Sequence, residues 1–154
     1  KGYLGVIGNS QVAYKRFDVA QEVAKRTGLE LRTASNVTRE QLNIMYNEAL
    51  CLLYPSDYEG FGIPILEAQK AGCPVIAQNT SSVPEVIGNG ELLVSHDKTV
   101  RMADAMADKV RQLLSQPTQS IIEKGMQNAK RFSWDKTYAQ TKQVYEDIYY
   151  NHHL

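Results

Sequence analysis

At 154 residues, 43% hydrophobic and 22% charged, the chain has the size and composition of one globular domain able to bury its own core. Its 17 Lys and Arg balance 17 Asp and Glu, which argues against a basic nucleic-acid footprint or a polybasic membrane patch. No apolar run reaches membrane-span length and no signal-peptide pattern is present. Cys51 and Cys73 lie in or beside apolar segments and read as buried thiols of a reducing cytosol.

Tyr3-Leu4-Gly5-Val6-Ile7-Gly8 reads as a first parallel strand, so the chain enters a strand almost at Lys1. That start is read as an excised domain whose N-terminal portion is missing. Phe17, Ala20, Val23 and Ala24 recur at helical spacing and predict a helix from about Tyr14 to Arg26, stopped by Gly28. Leu29–Ala34 is expected as a second strand near the sheet edge. Thr38 is placed to N-cap a helix over Arg39–Ala49, with Leu42, Met45, Tyr46 and Ala49 facing inward. Cys51–Tyr54 is a third strand, followed by a helix from Ile63 to Ala71 closed by Gly72.

Pro74–Ala77 is a fourth strand, and Ser82 with Glu85 has the spacing of a capping box for a short helix to Ile87. Asn89-Gly90 reads as a turn and Glu91–Val94 as a fifth strand. The rest is helical. Asp97 caps a helix to about Leu114, a second helix covers Gln119–Arg131, and Ser133 caps a third over Trp134–Tyr150. The last helix carries Trp134, Tyr138, Tyr145, Tyr149 and Tyr150, either to pack on this domain or to form an aromatic face that favours pairing of two chains. His96, His152 and His153 have no ligand-like spacing and read as loop or solvated residues.

Alternating strands and helices predict an α/β fold: a doubly wound, Rossmann-like parallel sheet of about five strands, order 2-1-3-4-5, with helices on both faces and a helical C-terminus. The switch point then falls between the Tyr3 and Cys51 strands. Ligands of such sheets bind at the strands' carboxyl ends beside that point. The loops there are Gly8–Lys15 and Ser56–Gly62.

The second loop carries the chemistry. Gly60 and Gly62 permit a tight turn and close approach of backbone N–H groups, and Pro64 suits the first turn of the helix that follows. Strand, glycine loop and helix N-terminus together form an anion site, and Lys15, with Arg16, faces it from the other loop. Such a clamp suits a leaving diphosphate, whose charge grows in the transition state. No Asp-x-Asp pair or His/Cys cluster suggests a metal. Glu59 and Glu67 flank the loop, and a carboxylate can accept two hydroxyls of a vicinal diol such as a ribose. The plainer reading of Glu67 is that it offsets the helix dipole, and of Lys15 and Arg16 that they are solvated. Ser56 and Ser82 have no His-Asp partner, which argues against nucleophilic hydrolysis.

Glu59-Gly60-Phe61-Gly62-Ile63-Pro64-Ile65-Leu66-Glu67-Ala68 resembles the E-x7-E motif of retaining glycosyltransferases of family 4, which have the GT-B fold. Tyr54-Pro55-Ser56, Ala71–Ala77, Pro84–Ile87, Gly90–Val94 and Phe132-Ser133-Trp134-Asp135 resemble the same family in the same order. The likeness covers nearly the whole chain, residues 1–154, as a single C-terminal, donor-binding domain. It implies that Glu67 binds ribose hydroxyls, Glu59 contacts the donor sugar, and the backbone of Gly60, Phe61, Gly62 and Ile63 holds sugar and phosphates. Lys15 would meet the diphosphate, and Asn36 and Val37 the base. Glu59 and Lys15 are thereby the candidate catalytic residues.

The substrate implied is a UDP- or GDP-linked hexose, with no cofactor and no metal. The acceptor, a glycan, lipid or other group, would be held by the absent N-terminal domain, leaving the excised domain inactive alone. A cytoplasmic location is expected, and contact of the whole enzyme with the inner-membrane surface is compatible with the resemblance. Where many members carry an Arg after the first strand this chain has Asn9-Ser10, and the segment before Val37 is short. Two alternatives stand beside this reading: a GT-B nucleotide-sugar epimerase, and a non-catalytic α/β interaction domain in which Glu59 and Glu67 form structural salt bridges.

Overall fold

The computed structural model describes residues 2–8, 11–88, 90–95 and 99–151, without the side chains of Thr99, Val100 and Asn151. The expectations for Asn9, Ser10, Asn89, His96, Asp97, His152 and His153 lie outside the described residues. Strand β1 (Tyr3–Ile7) lies between β2 (Glu30–Ala34) and β3 (Cys51–Tyr54), and β4 (Val75–Asn79) and β5 (Leu93–Ser95) continue beyond β3. Every pairing is parallel, in the order β2-β1-β3-β4-β5. β2 is an edge strand, which explains its exposed Glu30, Arg32 and Thr33.

Side-chain alternation along the strands splits the core in two. Leu4, Val6, Cys51 and Leu53 join Val19, Ala20 and Val23 of helix α1 (Phe17–Thr27) and Met102, Met106 and Val110 of α5 (Thr99–Ser115). On the other face Tyr3, Leu52, Tyr54 and Val75 join Met45 and Tyr46 of α2 (Arg39–Glu48), Ile65 and Leu66 of α3 (Ile63–Lys70), and α4 (Val83–Ile87). Residues such as Leu4, Leu52, Leu53, Ile65 and Ile76 are wholly buried, each worth about 2 kcal/mol over exposure. Cys51 and Cys73 are buried free thiols, and burial pushes the Cys51 thiol well up.

Helix α6 (Gln119–Ala129) is anchored by a closed polar network. Gln69 Nε2 donates to Ile87 O at 2.9 Å, and Asn128 Nδ2 donates to Gln69 Oε1 at 2.7 Å and Val86 O at 2.8 Å. Arg131 Nη1 donates to Asn128 Oδ1 at 2.8 Å. Gly88 (φ 64°) lies so close that a Cβ there would overlap the Asn128 carboxamide.

Several boundaries depart from the sequence pattern. Helix α1 starts at Phe17, not Tyr14, because Ala13–Lys15 wind a 3-10 turn and Arg16 is left-handed at φ 52°, a conformation that cannot continue a right-handed helix. A second 3-10 turn, Gly90–Leu92, delays β5 to Leu93. The α2 cap is as expected and is a full box: Gln41 N donates to Thr38 Oγ1, and Thr38 N donates to Gln41 Oε1. The Ser82–Glu85 box does not form; Ser82 makes no cap bond to its own helix. Ser133 does cap α7 (Trp134–Asn151), accepting from Lys136 N at 3.1 Å. From Trp134 to Tyr150 every side chain of α7 except Glu146 is exposed, so its aromatics do not pack on this domain.

Candidate functional site

The carboxyl ends of β1 and β3 flank the point where strand order reverses, and their loops meet there. Asp57 N donates to Tyr14 O at 2.8 Å, tying the loops backbone to backbone. Gly62 (φ 99°) precedes α3, in a conformation open to glycine and strained for a side chain, and a Cβ there would press on Ile65 at 3.1 Å. Pro64 falls in the first helical turn, where a missing N–H costs nothing. Among the described residues, the N–H groups of Gly60, Phe61, Gly62 and Ile63 have no hydrogen-bond acceptor. Those unfilled donors and the α3 dipole give this end of the loop a positive potential that favours an anion.

Lys15 and Glu59 come together directly: Lys15 Nζ donates to Glu59 Oε1 at 2.6 Å, with side-chain exposures of 18% and 10%. The ammonium also lies 5.4 Å from the ring centroids of both Tyr14 and Tyr54. The left-handed turn at Arg16 sends its guanidinium elsewhere, to Asp57 at 3.0 Å and Asp18 at 3.1 Å. That fork holds the Asp18 carboxyl below its usual range. The two basic residues therefore divide: Lys15 faces the carboxylate at the glycine loop, and Arg16 braces the loop's start through Asp57.

Glu67, in α3, is exposed and accepts a 3.1 Å hydrogen bond at Oε2 from the Tyr46 hydroxyl of α2. Burial, with the Glu67 charge beside it, raises the Tyr46 phenol far above its ordinary range, so it stays a neutral donor. Asn36, left-handed at φ 55°, and Val37 follow β2, exposed and engaged by no hydrogen bond among the described residues. Phe61 projects with its ring edge-on to Phe132, centroids 5.8 Å apart.

Three features escaped the sequence reading. Tyr46 is one; only its predicted inward face hinted at it. Tyr54 is another: its buried hydroxyl has no hydrogen-bond partner among the described residues and lies against Gly62, and burial, then the nearby Glu59 charge, pushes its phenol up. The third is the run Thr80-Ser81-Ser82, whose hydroxyls all reach the Glu59 loop.

A five-stranded doubly wound sheet with a glycine loop and two carboxylates at its switch point defines an α/β domain of the class whose ligand sites lie at the carboxyl ends of the strands. Comparison with known proteins narrows the class. Residues 4–132 match the family model for glycosyl transferases group 1, and the chain belongs to that family. It is 35% identical over 133 residues to O-antigen chain mannosyltransferase B of Escherichia coli, covering 84% of this chain and 34% of that protein. It is 32% identical over 143 residues to D-inositol 3-phosphate glycosyltransferase of Corynebacterium glutamicum, covering 89% and 33%. The chain thus spans about a third of the length of these curated relatives.

Solved structures agree in fold. Sucrose-phosphate synthase from Thermosynechococcus elongatus superposes with a TM-score of 0.83 at 17% identity, over 98% of this chain and 46% of that one. The pneumococcal O-GlcNAc transferase GtfA, in complex with UDP and GlcNAc, gives 0.76 at 15% identity, over 95% and 36%. No helix among the described residues is long and apolar enough to cross a membrane.

Proposed function

We propose that this chain is the donor-binding domain of a hexosyltransferase that moves a hexose from a UDP- or GDP-linked sugar to a glycan, lipid or other acceptor. The observation that carries the reading is the conjunction at the switch point: unfilled N–H groups at Gly60–Ile63, the Lys15–Glu59 pair beside them, and Glu67 one turn along α3. In the donor-free chain Lys15 and Glu59 neutralise each other. A bound donor exchanges this pair for two others. The diphosphate takes Lys15 and the loop N–H groups, and a sugar hydroxyl takes Glu59.

As the leaving diphosphate gains charge, Lys15 and the α3 N-terminus stabilise it without reorganising. That supply of positive charge is what a metal ion provides elsewhere, and the reading assigns none here. Glu67, with one oxygen held by Tyr46, offers its other oxygen to the ribose. Asn36 and Val37 present open backbone to the base. Retention of stereochemistry, a cytoplasmic setting and an acceptor held by a second domain belong to this reading, and the family likeness supports them. Pairing of chains through the aromatic face of α7 belongs to the same reading.

The Lys15–Glu59 bond also suits the alternative of a non-catalytic domain, in which it would be a permanent brace. Calorimetric titration of the chain with UDP, GDP and their hexose conjugates separates the two. Binding of one nucleotide series, weakened about 10- to 100-fold in Glu67→Ala by loss of charge-assisted hydrogen bonds, is expected of a donor site. A folded chain that binds none sinks the donor reading.

A further inference from the structure

We propose that Thr80, Ser81 and Ser82 are positioning residues that strap the Asp57–Phe61 loop, setting Glu59 toward the donor sugar and leaving the N–H groups of Gly60–Ile63 outward for ligand. The proposal rests on the donor-site reading and extends it to residues of another loop. Thr80 Oγ1 donates to Asp57 O at 3.1 Å. Ser81 Oγ accepts from Glu59 N at 2.9 Å. Ser82 Oγ reaches both Glu59 O and Phe61 O at 3.0 Å. Together these three consecutive hydroxyls engage the carbonyls of Asp57, Glu59 and Phe61 and the N–H of Glu59.

The loop needs such a strap. Gly60 and Gly62 give it wide torsional freedom, and a Cβ on Gly60 would meet nothing within 4 Å. A binding carboxylate must nevertheless be held to within about 0.5 Å. The α3 helix fixes one end of the loop and the Asp57–Tyr14 bond the other, but neither fixes the backbone of Glu59. The β4–α4 segment supplies that restraint at its own expense. Ser82 sits where its hydroxyl could cap α4 and makes no such bond. Ser81 adopts φ 46°, a conformation unfavourable for a side chain bearing Cβ, and in it the hydroxyl meets Glu59 N. Two departures from local preference, at adjacent residues, converge on the residue read as the sugar contact.

The strap also selects which backbone groups remain available. It engages the carbonyls of alternate loop residues and one N–H, and none of the four N–H groups from Gly60 to Ile63. Loosening it would let the glycine loop turn those donors inward and let the Glu59 side chain leave the sugar position. The sugar part of the donor should therefore be affected more than the nucleoside part, which Glu67 and the end of β2 meet.

The test is calorimetric binding of GDP-mannose, UDP-glucose, GMP and UMP to the full chain and to Ser81→Ala/Ser82→Ala, Ser82→Ala and Ser82→Thr, with amide exchange followed at Glu59–Ile63. Loss of one or two restraining hydrogen bonds should weaken the sugar nucleotide about tenfold in the double variant, leave the matching monophosphate within about twofold, and speed exchange of the loop amides. Ser82→Thr, which keeps the hydroxyl, should bind as the parent does. Unchanged binding of the sugar nucleotide by the double variant, an equal loss for the monophosphate, or failure of Ser82→Thr to match the parent overturns the strap. If the parent binds no nucleotide at all, the donor-site reading fails and this proposal falls with it.

Discussion

Two polar networks hold this domain together, and they are built on opposite principles. Under α6, Gln69, Asn128 and Arg131 form a closed set: both Asn128 amide bonds, its carbonyl and the Gln69 carboxamide are engaged, with Gln69 and Asn128 buried. At the switch point the polar groups are engaged on one side only. The strap takes the loop carbonyls, Lys15 takes Glu59, and the N–H groups of Gly60–Ile63 stay open. A closed network can fix packing but has nothing left to offer a ligand. An open one keeps unpaired donors at the cost of stability, and those donors are what a ligand can take.

The contrast can be broken at either end. Removing Asn128 should do the most damage, because Asn128→Ala strands Gln69 Oε1 and Val86 O in a buried site and leaves Arg131 without its acceptor. A loss of about 3 kcal/mol is expected in urea unfolding, with nucleotide affinity in the remaining folded fraction unchanged. At the open network the sign of the trade differs. Tyr46→Phe removes the hydrogen bond that holds Glu67 Oε2, and nucleotide affinity should fall about tenfold, the lower end of the worth of a hydrogen bond to a charged group, about 1.5 kcal/mol, seen in a titration against UDP and GDP.

Smallest is Tyr54→Phe, which deletes a buried hydroxyl with no partner among the described residues. Stability should rise, by up to about 1 kcal/mol in thermal or urea melts, since no hydrogen bond is lost and a desolvated group is removed. A decrease instead would mean that the hydroxyl is hydrogen-bonded in solution and that this part of the site is not open.

The layered fold was legible in the sequence because each strand and helix states its own period. Leu4 and Val6 against Tyr3, or Cys51 and Leu53 against Leu52 and Tyr54, alternate between the two core faces as parallel strands covered on both sides must. Helix starts were legible only where nothing distant competed. Thr38–Gln41 and Ser82–Glu85 carry equivalent capping patterns, yet the first forms its box and the second does not. The difference lies in the loop beside Ser82, whose Glu59 and Phe61 carbonyls are 23 and 21 residues away in the chain. The site was legible in part for the same reason. Glycines, Pro64 and the two carboxylates mark the loop locally, so Lys15, Glu59 and Glu67 could be named. The Lys15–Glu59 bond, the Tyr46–Glu67 bond and the diversion of Arg16 to Asp57 join residues more than 20 positions apart, and no local pattern encodes them.

The contact between Gly88 and Asn128 has a consequence for descent. A Cβ at position 88 and a carboxamide at position 128 compete for one volume, so position 88 is not free to take a side chain while Asn128 keeps its place. Among relatives the order of change should be fixed: lineages that acquire a side chain at the position of Gly88 will already have given up the asparagine, and with it the anchor of α6. Paired replacement at these positions, 40 apart in the chain, is the trace that this packing should leave across a family.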